Sequence, residues 1–203
     1  VLMAIILINP EVKQPPYSAR QLGQESSTLE TIQVVEPLDL ENEIKALKSV
    51  MDEAMPDEWP DLVPPTLDEV REMAKRLVSF ADPELIPIAR SGDKPVGFGI
   101  ALPDYNQVLI HLNGKITPLA ALKYLWYKRK INCARMFVMF VVPEFRKKGV
   151  SFALYHTTFS NGIKKGYTWG EGSTIGETNL RMRADIESIG AVRYKTYRIY
   201  RKE

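Results

Sequence analysis

Apolar residues recur at spacings of three and four in several stretches of the chain, the pattern of amphipathic helices. The first such helix starts at Leu40 and is ended by Pro56. A capping box, Thr66–Glu69, opens the second helix. Further helices are predicted over Pro118–Tyr127, Ser151–Lys165 and Asn179–Ile189.

Short apolar runs bounded by turn residues predict the strands. Ala134–Val142 is the most apolar of them, which indicates a place in the middle of a sheet. The other predicted strands are Val1–Asn9, Thr31–Val35, Leu85–Ala89, Val96–Leu102, Tyr167–Ser173 and Val192–Tyr200. Strands and helices therefore share one domain, and the helix Pro118–Tyr127 belongs to an insertion between two strands.

The segment Glu11–Glu30 is polar, contains prolines and has no apolar period, so we expect an exposed connection there. This predicts a division of the chain into two parts. Residues 1–30 form an N-terminal strand and linker, interpreted as the remnant of an upstream domain, and residues 31–203 form the main domain.

The amino-acid composition argues against several classes of function. The 203 residues are 45% hydrophobic and 26% charged, as in ordinary globular proteins. A net charge of +2 argues against a dedicated nucleic-acid binder. Cys133 is the only cysteine and the two histidines have no ligand cluster near them, so a reducing cytoplasm is expected and a metal site is not. The apolar N-terminal run is too short to span a bilayer, so no stable membrane insertion is expected.

The segment Val142–Ser151 carries the main chemical signal. A buried strand leads directly into a basic turn that contains Gly149, and a helix follows. Unpaired N–H groups at a helix start bind anions, and glycine allows the main chain to approach a phosphate closely. A di- or triphosphate group is therefore the predicted ligand. The alternative is a solvated turn, since Arg146, Lys147 and Lys148 alone are also typical of one.

Arg146–Ser151 resembles the Arg/Gln-x-x-Gly-x-Gly/Ala signature of the GCN5-related N-acetyltransferase (GNAT) superfamily. Further blocks resemble a bacterial GNAT-like group, in which this would be the C-terminal domain of a two-domain protein: PVGFGIALPDYN, VVPEFRKKGVSFALY, GETNLRM and GAVRYKTYRIYRK. The resemblance implies an α/β (α+β) fold. Its central sheet is mixed and mostly antiparallel and is flanked by helices. A helical insertion follows Val96–Leu102, the third strand of the main domain.

The resemblance also implies a cofactor, acetyl-CoA or another acyl-CoA, and a site for it. The residues expected to bind it are Phe140, Val141, Val142, Arg146, Lys147, Lys148, Gly149, Val150, Ser151, Phe152 and Asn179. For Asn179 the alternative is a helix cap. Asp104, Tyr105 and Asn106 are expected at the substrate side, although they are also good turn residues.

The chemistry implied is acyl transfer from the thioester to a small-molecule amine. Glu171 is the candidate base, with an exposed edge-strand charge as the alternative. Ile186 and Glu187 stand where many GNAT enzymes have the tyrosine acid, so Tyr197 is the candidate replacement, with Tyr200 also considered. Ser151 departs from the usual Gly or Ala. The expected function is an N-acyltransferase, and the alternative is a non-catalytic acyl-CoA-binding or regulatory domain.

Three further expectations concern single elements and assembly. The apolar helix Pro118–Tyr127 is interpreted as a lid packed over the domain, with an acyl-chain cover or a membrane-surface helix as alternatives. Cys133 is interpreted as a buried packing residue, with a covalent acyl acceptor as the alternative. A homodimer is left open. A nucleotide-binding domain is not favoured, because the chain has no Gly-x-x-x-x-Gly-Lys-Ser/Thr motif.

Overall fold

A computed structural model of the chain describes residues 2–8, 31–34, 39–55, 63–114, 117–188, 190–198 and 200. The described strands form one seven-stranded sheet in the order β2-β3-β4-β5-β6-β1-β7. Every neighbouring pair is antiparallel except β5 and β6, which are parallel. The strands are β1 (Leu2–Ile8), β2 (Thr31–Val34), β3 (Pro87–Ser91), β4 (Lys94–Pro103), β5 (Cys133–Val141), β6 (Trp169–Gly176) and β7 (Val192–Arg198). The predicted mixed, mostly antiparallel sheet is confirmed.

The α-helices of the described residues occur where the sequence predicts them, except α3, which is not predicted. They are α1 (Leu40–Ala54), α2 (Leu67–Leu77), α3 (Asn106–Leu109), α4 (Pro118–Lys128), α5 (Val150–Lys164) and α6 (Leu180–Ser188). The capping box of α2 is confirmed: the Glu69 N–H donates to Thr66 Oγ1 and the Thr66 N–H donates to the Glu69 carboxylate. Helices α3 and α4 are the insertion between β4 and β5.

The strand predicted over Leu85–Ala89 begins later, at Pro87. The Asp82 side chain accepts a hydrogen bond from the Glu84 N–H and starts a 3₁₀ turn at Pro83, which uses the residues that would open the strand.

The strand predicted at the N-terminus lies inside the sheet. β1 pairs with β6 on one side and with β7 on the other. The strand that the sequence assigns to the 1–30 segment is thus in the same sheet as the strands of the 31–203 domain. The connection predicted over Glu11–Glu30 lies outside the described residues.

Two clusters of buried side chains fix the position of α5. One joins Leu154 of α5 to Val50 of α1 and Phe98 of β4, all at most 1% exposed. The other joins Tyr155 to Ile186 of α6. A Cβ atom on Gly97 would lie 3.1 Å from the Val150 side chain, so glycine in β4 lets the start of α5 lie close to the sheet.

β5 and β6 diverge after a short paired segment. Their register covers only Cys133↔Trp169, Ala134↔Gly170 and Arg135↔Glu171. β5 continues to Val141 and remains paired with β4 along that length. The side of β5 that faces β6 is therefore not used by β6 beyond Arg135, and this open edge runs toward the turn that precedes α5.

The Arg146 side chain ties that turn to two other elements. Its Nε donates to the carbonyl oxygen of Val141 at 3.1 Å, and its Nη2 donates to the carbonyl oxygen of Ala54 at the end of α1, at 2.9 Å. The Ala54 carbonyl lies in the last turn of α1, where it has no intrahelical partner, and Val141 is the last residue of β5. The guanidinium therefore joins β5, α1 and the turn. The turn is thereby held in one position.

We expect Arg146→Met to lower the free energy of unfolding by about 1.5–3 kcal/mol, because partly buried carbonyls lose charge-assisted hydrogen bonds. Urea denaturation followed by circular dichroism measures this change. The control is Lys147→Met, at an exposed position, which we expect to change the free energy by about 0.5 kcal/mol or less. Equal free energies of unfolding for the two variants would contradict the stabilising role of the Arg146 hydrogen bonds.

Candidate active site

The turn between β5 and α5 has a backbone shape suited to an anion. A 3₁₀ turn, Pro143–Phe145, follows β5, and then Lys147 and Gly149 take positive φ values of 64° and 78°. Successive N–H groups in a turn of this kind can form a concavity that binds an anion. The Ala153 N–H donates to the Gly149 oxygen at 3.0 Å as α5 begins. A Cβ atom on Gly149 would meet no atom within 4 Å, so the space in front of it is open.

The basic side chains of the turn have different surroundings. Arg146 points inward to main-chain carbonyls, so its charge is directed at Val141 and Ala54. Lys148 Nζ lies 4.8 Å from the centroid of the Phe145 ring. Lys147 is exposed. The sequence predicts all three to contribute charge to a ligand, and the structure leaves Lys147 the most accessible of them.

Apart from Asn179, the other residues predicted to bind the cofactor lie directly before and directly after the turn in the sequence. Phe140 and Val141 pair with Phe98 and Gly97 of β4, and the Val142 N–H donates to the Val96 oxygen at 3.0 Å. Val150 is buried, while Ser151 and Phe152 are partly buried in the first turn of α5. The end of β5, the turn and the start of α5 are thus consecutive along the chain.

The Asn179 side chain caps α6. Its side-chain oxygen accepts a hydrogen bond from the Met182 N–H at 3.2 Å, at the start of α6. This is the helix-cap alternative considered from the sequence, and it occupies the acceptor of the amide.

Glu171 lies where β5 and β6 separate. It is 7% exposed. Its carboxylate forms an ion pair with Arg135 Nη2 at 2.6 Å and accepts a hydrogen bond from the Tyr194 hydroxyl at 3.2 Å. Arg135 and Glu171 are the last register pair before the divergence. The carboxylate is therefore fixed at the closed end of the opening, and it is not the exposed edge-strand charge of the alternative.

Tyr194 reaches Glu171 because β7 has a bulge. Ile5 pairs with Lys195 and Ile6 with Arg193, so Tyr194 is left without a register partner in β1. Bulges re-aim side chains. Burial, together with the nearby Glu171 carboxylate, raises the pKa of Tyr194 to about 12, so its hydroxyl stays protonated at neutral pH.

Sequence reasoning missed both partners of Glu171. Arg135 could have been found, because a charged residue within the most apolar strand demands a partner. For Tyr194 no local signal existed, since the bulge depends on pairing with a distant strand.

The predicted acids occupy other positions. Tyr197 is 47% exposed and Tyr200 is 79% exposed. Within the described residues, no hydrogen bond to either hydroxyl is found. Ile186, at the position where many GNAT enzymes have tyrosine, is fully buried in the core.

The three residues predicted for the substrate side form the start of the insertion. Asp104 accepts hydrogen bonds from the main-chain and side-chain N–H groups of Asn106, at 3.2 and 2.9 Å. The Asp104 N–H donates to the Cys133 oxygen at the first residue of β5. Tyr105 stacks on Tyr124 at 6.3 Å, and burial raises its pKa. Asp104 thus sits beside the paired ends of β5 and β6.

Cys133 is fully buried. Burial is the main cause that raises the pKa of its thiol to about 12, and the Asp104 and Glu171 carboxylates add to it. A protonated, inaccessible thiol is a poor nucleophile. The structure therefore agrees with the packing role.

Two curated bacterial proteins are similar in sequence. The bacterial ceramide synthase of Caulobacter vibrioides is 29% identical over 178 residues, which cover 83% of this chain and 46% of that protein. Protein YghO of Escherichia coli K12 is 27% identical over 179 residues, covering 85% and 46%. The chain spans about half the length of the curated relatives it matches. No family model matches the sequence.

Solved structures share the architecture. A GCN5-related N-acetyltransferase from Sphaerobacter thermophilus superposes with a TM-score of 0.59 at 17% identity, over 97% of this chain and 49% of that one. The aminoglycoside acetyltransferase AAC(6')-Iy, in complex with a bisubstrate analogue, gives 0.57 at 16% identity, over 85% of this chain and 97% of that one. The chain has the fold of the GCN5-related N-acetyltransferase superfamily, as the signature in its turn predicts.

Proposed function

We propose that this chain is an acyl-CoA-dependent N-acyltransferase that binds the carrier in the opening between β5 and β6. The observation that supports this most is the divergence itself. β5 is no longer paired with β6 after Arg135. The unpaired edge of β5 ends at Val141, and the turn that could bind an anion follows it directly in the chain.

The open edge suits an extended ligand that carries amides. Main-chain N–H and C=O groups need partners, and an edge offers them to any strand-like ligand. Met136–Phe140 spans roughly 13 Å at about 3.3 Å per residue. The pantetheine arm of CoA has two amides in an extended chain that can cover this distance, from the thioester at the closed end to the phosphates at the turn.

The turn suits the pyrophosphate. Lys147 and Gly149 take positive φ values there, and the first turn of α5 contains no acidic residue. The positive end of the helix dipole favours negative charge at the same place. Gly149 keeps the approach open. Ser151 adds a hydroxyl in the first turn of α5, at a partly buried position.

Transfer requires an N–C bond to form as the C–S bond breaks. A carboxylate at the closed end of the opening can accept the proton that the attacking ammonium must lose, and Glu171 is the residue we assign to this step. Tyr194 and Arg135 hold that carboxylate in place. The departing thiolate needs a proton, for which we assign Tyr197, whose exposed position allows contact with a ligand. The buried thiol of Cys133 favours direct transfer over an acyl-cysteine intermediate.

The proposed acceptor is the amine of a small molecule. Asp104, Tyr105 and Asn106 lie beside the start of β5, where an acceptor would approach the thioester. A ceramide is the N-acyl derivative of a long-chain amino alcohol. The similarity to a bacterial ceramide synthase therefore adds long-chain amino alcohols to the amines worth testing.

The second candidate is a domain that binds acyl-CoA without catalysis. It is supported by the buried Ile186 in place of an acid on α6, and by the ion pair that occupies Glu171. Thiol release from acyl-CoA in the presence of an amine panel separates the two candidates.

Gly149→Glu is expected to weaken CoA binding by at least about 100-fold, because the carboxylate would project into the open space where the phosphates bind. Isothermal titration with CoA measures the affinity. Gly166→Glu is a matched control: Gly166 also has positive φ, at 89°, and also faces open space, but it lies at the other end of α5. Unchanged affinity in a folded Gly149→Glu variant would refute the proposed site.

If the chain is an enzyme, Glu171→Gln lowers the rate of thiol release by about 100-fold or more, because the proton acceptor is lost. The single amide oxygen of glutamine can keep the hydrogen bond from Tyr194, but Arg135 loses its ion-pair partner, so we expect some loss of stability. CoA affinity and the unfolding curve are therefore measured on the same variant, to confirm that it is folded and binds CoA. Glu177→Gln, at an exposed turn after β6, is the control. A rate that survives Glu171→Gln would remove Glu171 from the mechanism, and no release from the parent chain would favour the binding-only domain.

A further inference from the structure

The outer face of α4 is apolar and exposed. Leu119, Leu122, Leu125 and Trp126 are 58–66% exposed. At 100° per residue these four side chains fall in one arc of the helix. Only Ala120 is buried, and Tyr124 and Tyr127 are partly buried on the opposite side. The lid interpretation is therefore wrong for this face, because the lid's leucines do not pack on the domain.

The inner side of α4 is fixed to the domain by aromatic contacts. Tyr124 stacks on Tyr105, and Tyr127 stacks on His111 with ring centroids 3.8 Å apart. Thr117 caps the helix by accepting from the Ala120 N–H. α4 is thus a formed helix that presents its leucines outward.

Basic residues flank the apolar arc. Lys123 and Lys128 lie on either side of it by the helical spacing, and Arg129 and Lys130 follow the helix. Lys130 Nζ lies 4.7 Å from the centroid of the Trp126 ring. Between Asp104 and Glu144 the sequence has no Asp or Glu. The surface around the arc therefore carries positive charge without compensating acids from its own segment.

We infer that this α4 face docks on an anionic lipid surface, with the leucines and Trp126 in the interface and the lysines at the phosphate level. Tryptophan, leucine and flanking lysines on one helix are the composition of interfacial helices. Within the described part of the chain, no helix is long and apolar enough to cross a bilayer, so the contact lies in the plane of the surface.

A second copy of this chain fits the face less well. A two-fold contact of α4 with itself would place Lys123, Lys128 and Arg129 of both copies next to each other, with no acid from the segment between them. Like charges at close range oppose such a contact. An anionic bilayer satisfies the same apolar arc and also its basic flanks.

Co-sedimentation of the 203-residue chain with vesicles tests the inference, in the absence of acyl-CoA and amine. We expect binding to vesicles of equal parts phosphatidylcholine and phosphatidylglycerol, and at least about tenfold weaker binding to phosphatidylcholine alone. Because no acyl transfer is measured, failure here leaves the proposed activity standing, and failure of that activity leaves this inference standing.

Variants separate the apolar and basic contributions. Leu122→Ser should weaken vesicle binding by about tenfold or more, and Ile163→Ser, at a 61% exposed position on α5, should leave it unchanged. Lys123→Gln, at an exposed position beside the apolar arc, should weaken it by about fivefold. Its control is Lys164→Gln, which removes a charge from the last residue of another helix. All four positions are exposed, so unfolding curves should match the parent.

Two results would overturn the inference. One is equal binding to both vesicle types, or none to either. The other is a dimer by analytical ultracentrifugation that Leu122→Ser converts to monomer while vesicles are not bound, which would assign the face to a second copy.

Discussion

Parallel strands β5 and β6 share hydrogen bonds only as far as Arg135 and Glu171, and beyond that pair the main chain of β5 has donors and acceptors that β6 does not use. In a sheet, such groups must find another partner. The opening is closed at one end by an ion pair and leads at the other to a turn with left-handed residues. The shape, polarity and length of the proposed ligand all follow from this one break in pairing.

Several elements hold the two ends of the opening in place. Arg146 connects the turn to the ends of β5 and α1, and the buried Leu154 fixes α5 behind it. At the closed end, a bulge in β7 aims Tyr194 at Glu171. Glu171 thus has two partners that hold its carboxylate in place, and it is not a stray surface charge.

The features that depend on a few adjacent residues were predicted from the sequence. The capping box of α2, the helix α5 and the glycine turn were all readable from a few adjacent residues, because caps and turns depend on neighbours in the chain. Contacts between distant positions were not readable. Arg146 meets the Ala54 carbonyl 92 residues away, and the Tyr194 contact depends on the pairing of β1 with β7. The apolar spacing correctly predicted the helix α4. It did not predict what contacts the apolar face of that helix, because periodicity does not identify a packing partner.

The buried state of Cys133 has a practical consequence. It is the chain's one cysteine, it is fully buried, and its thiol has a pKa of about 12. Thiol reagents act on accessible thiolates, so the folded chain should give them almost no background. Colorimetric detection of free CoA can therefore be read directly in the presence of the protein. A cysteine introduced elsewhere on the surface would be the single labelling site without any change to the natural one.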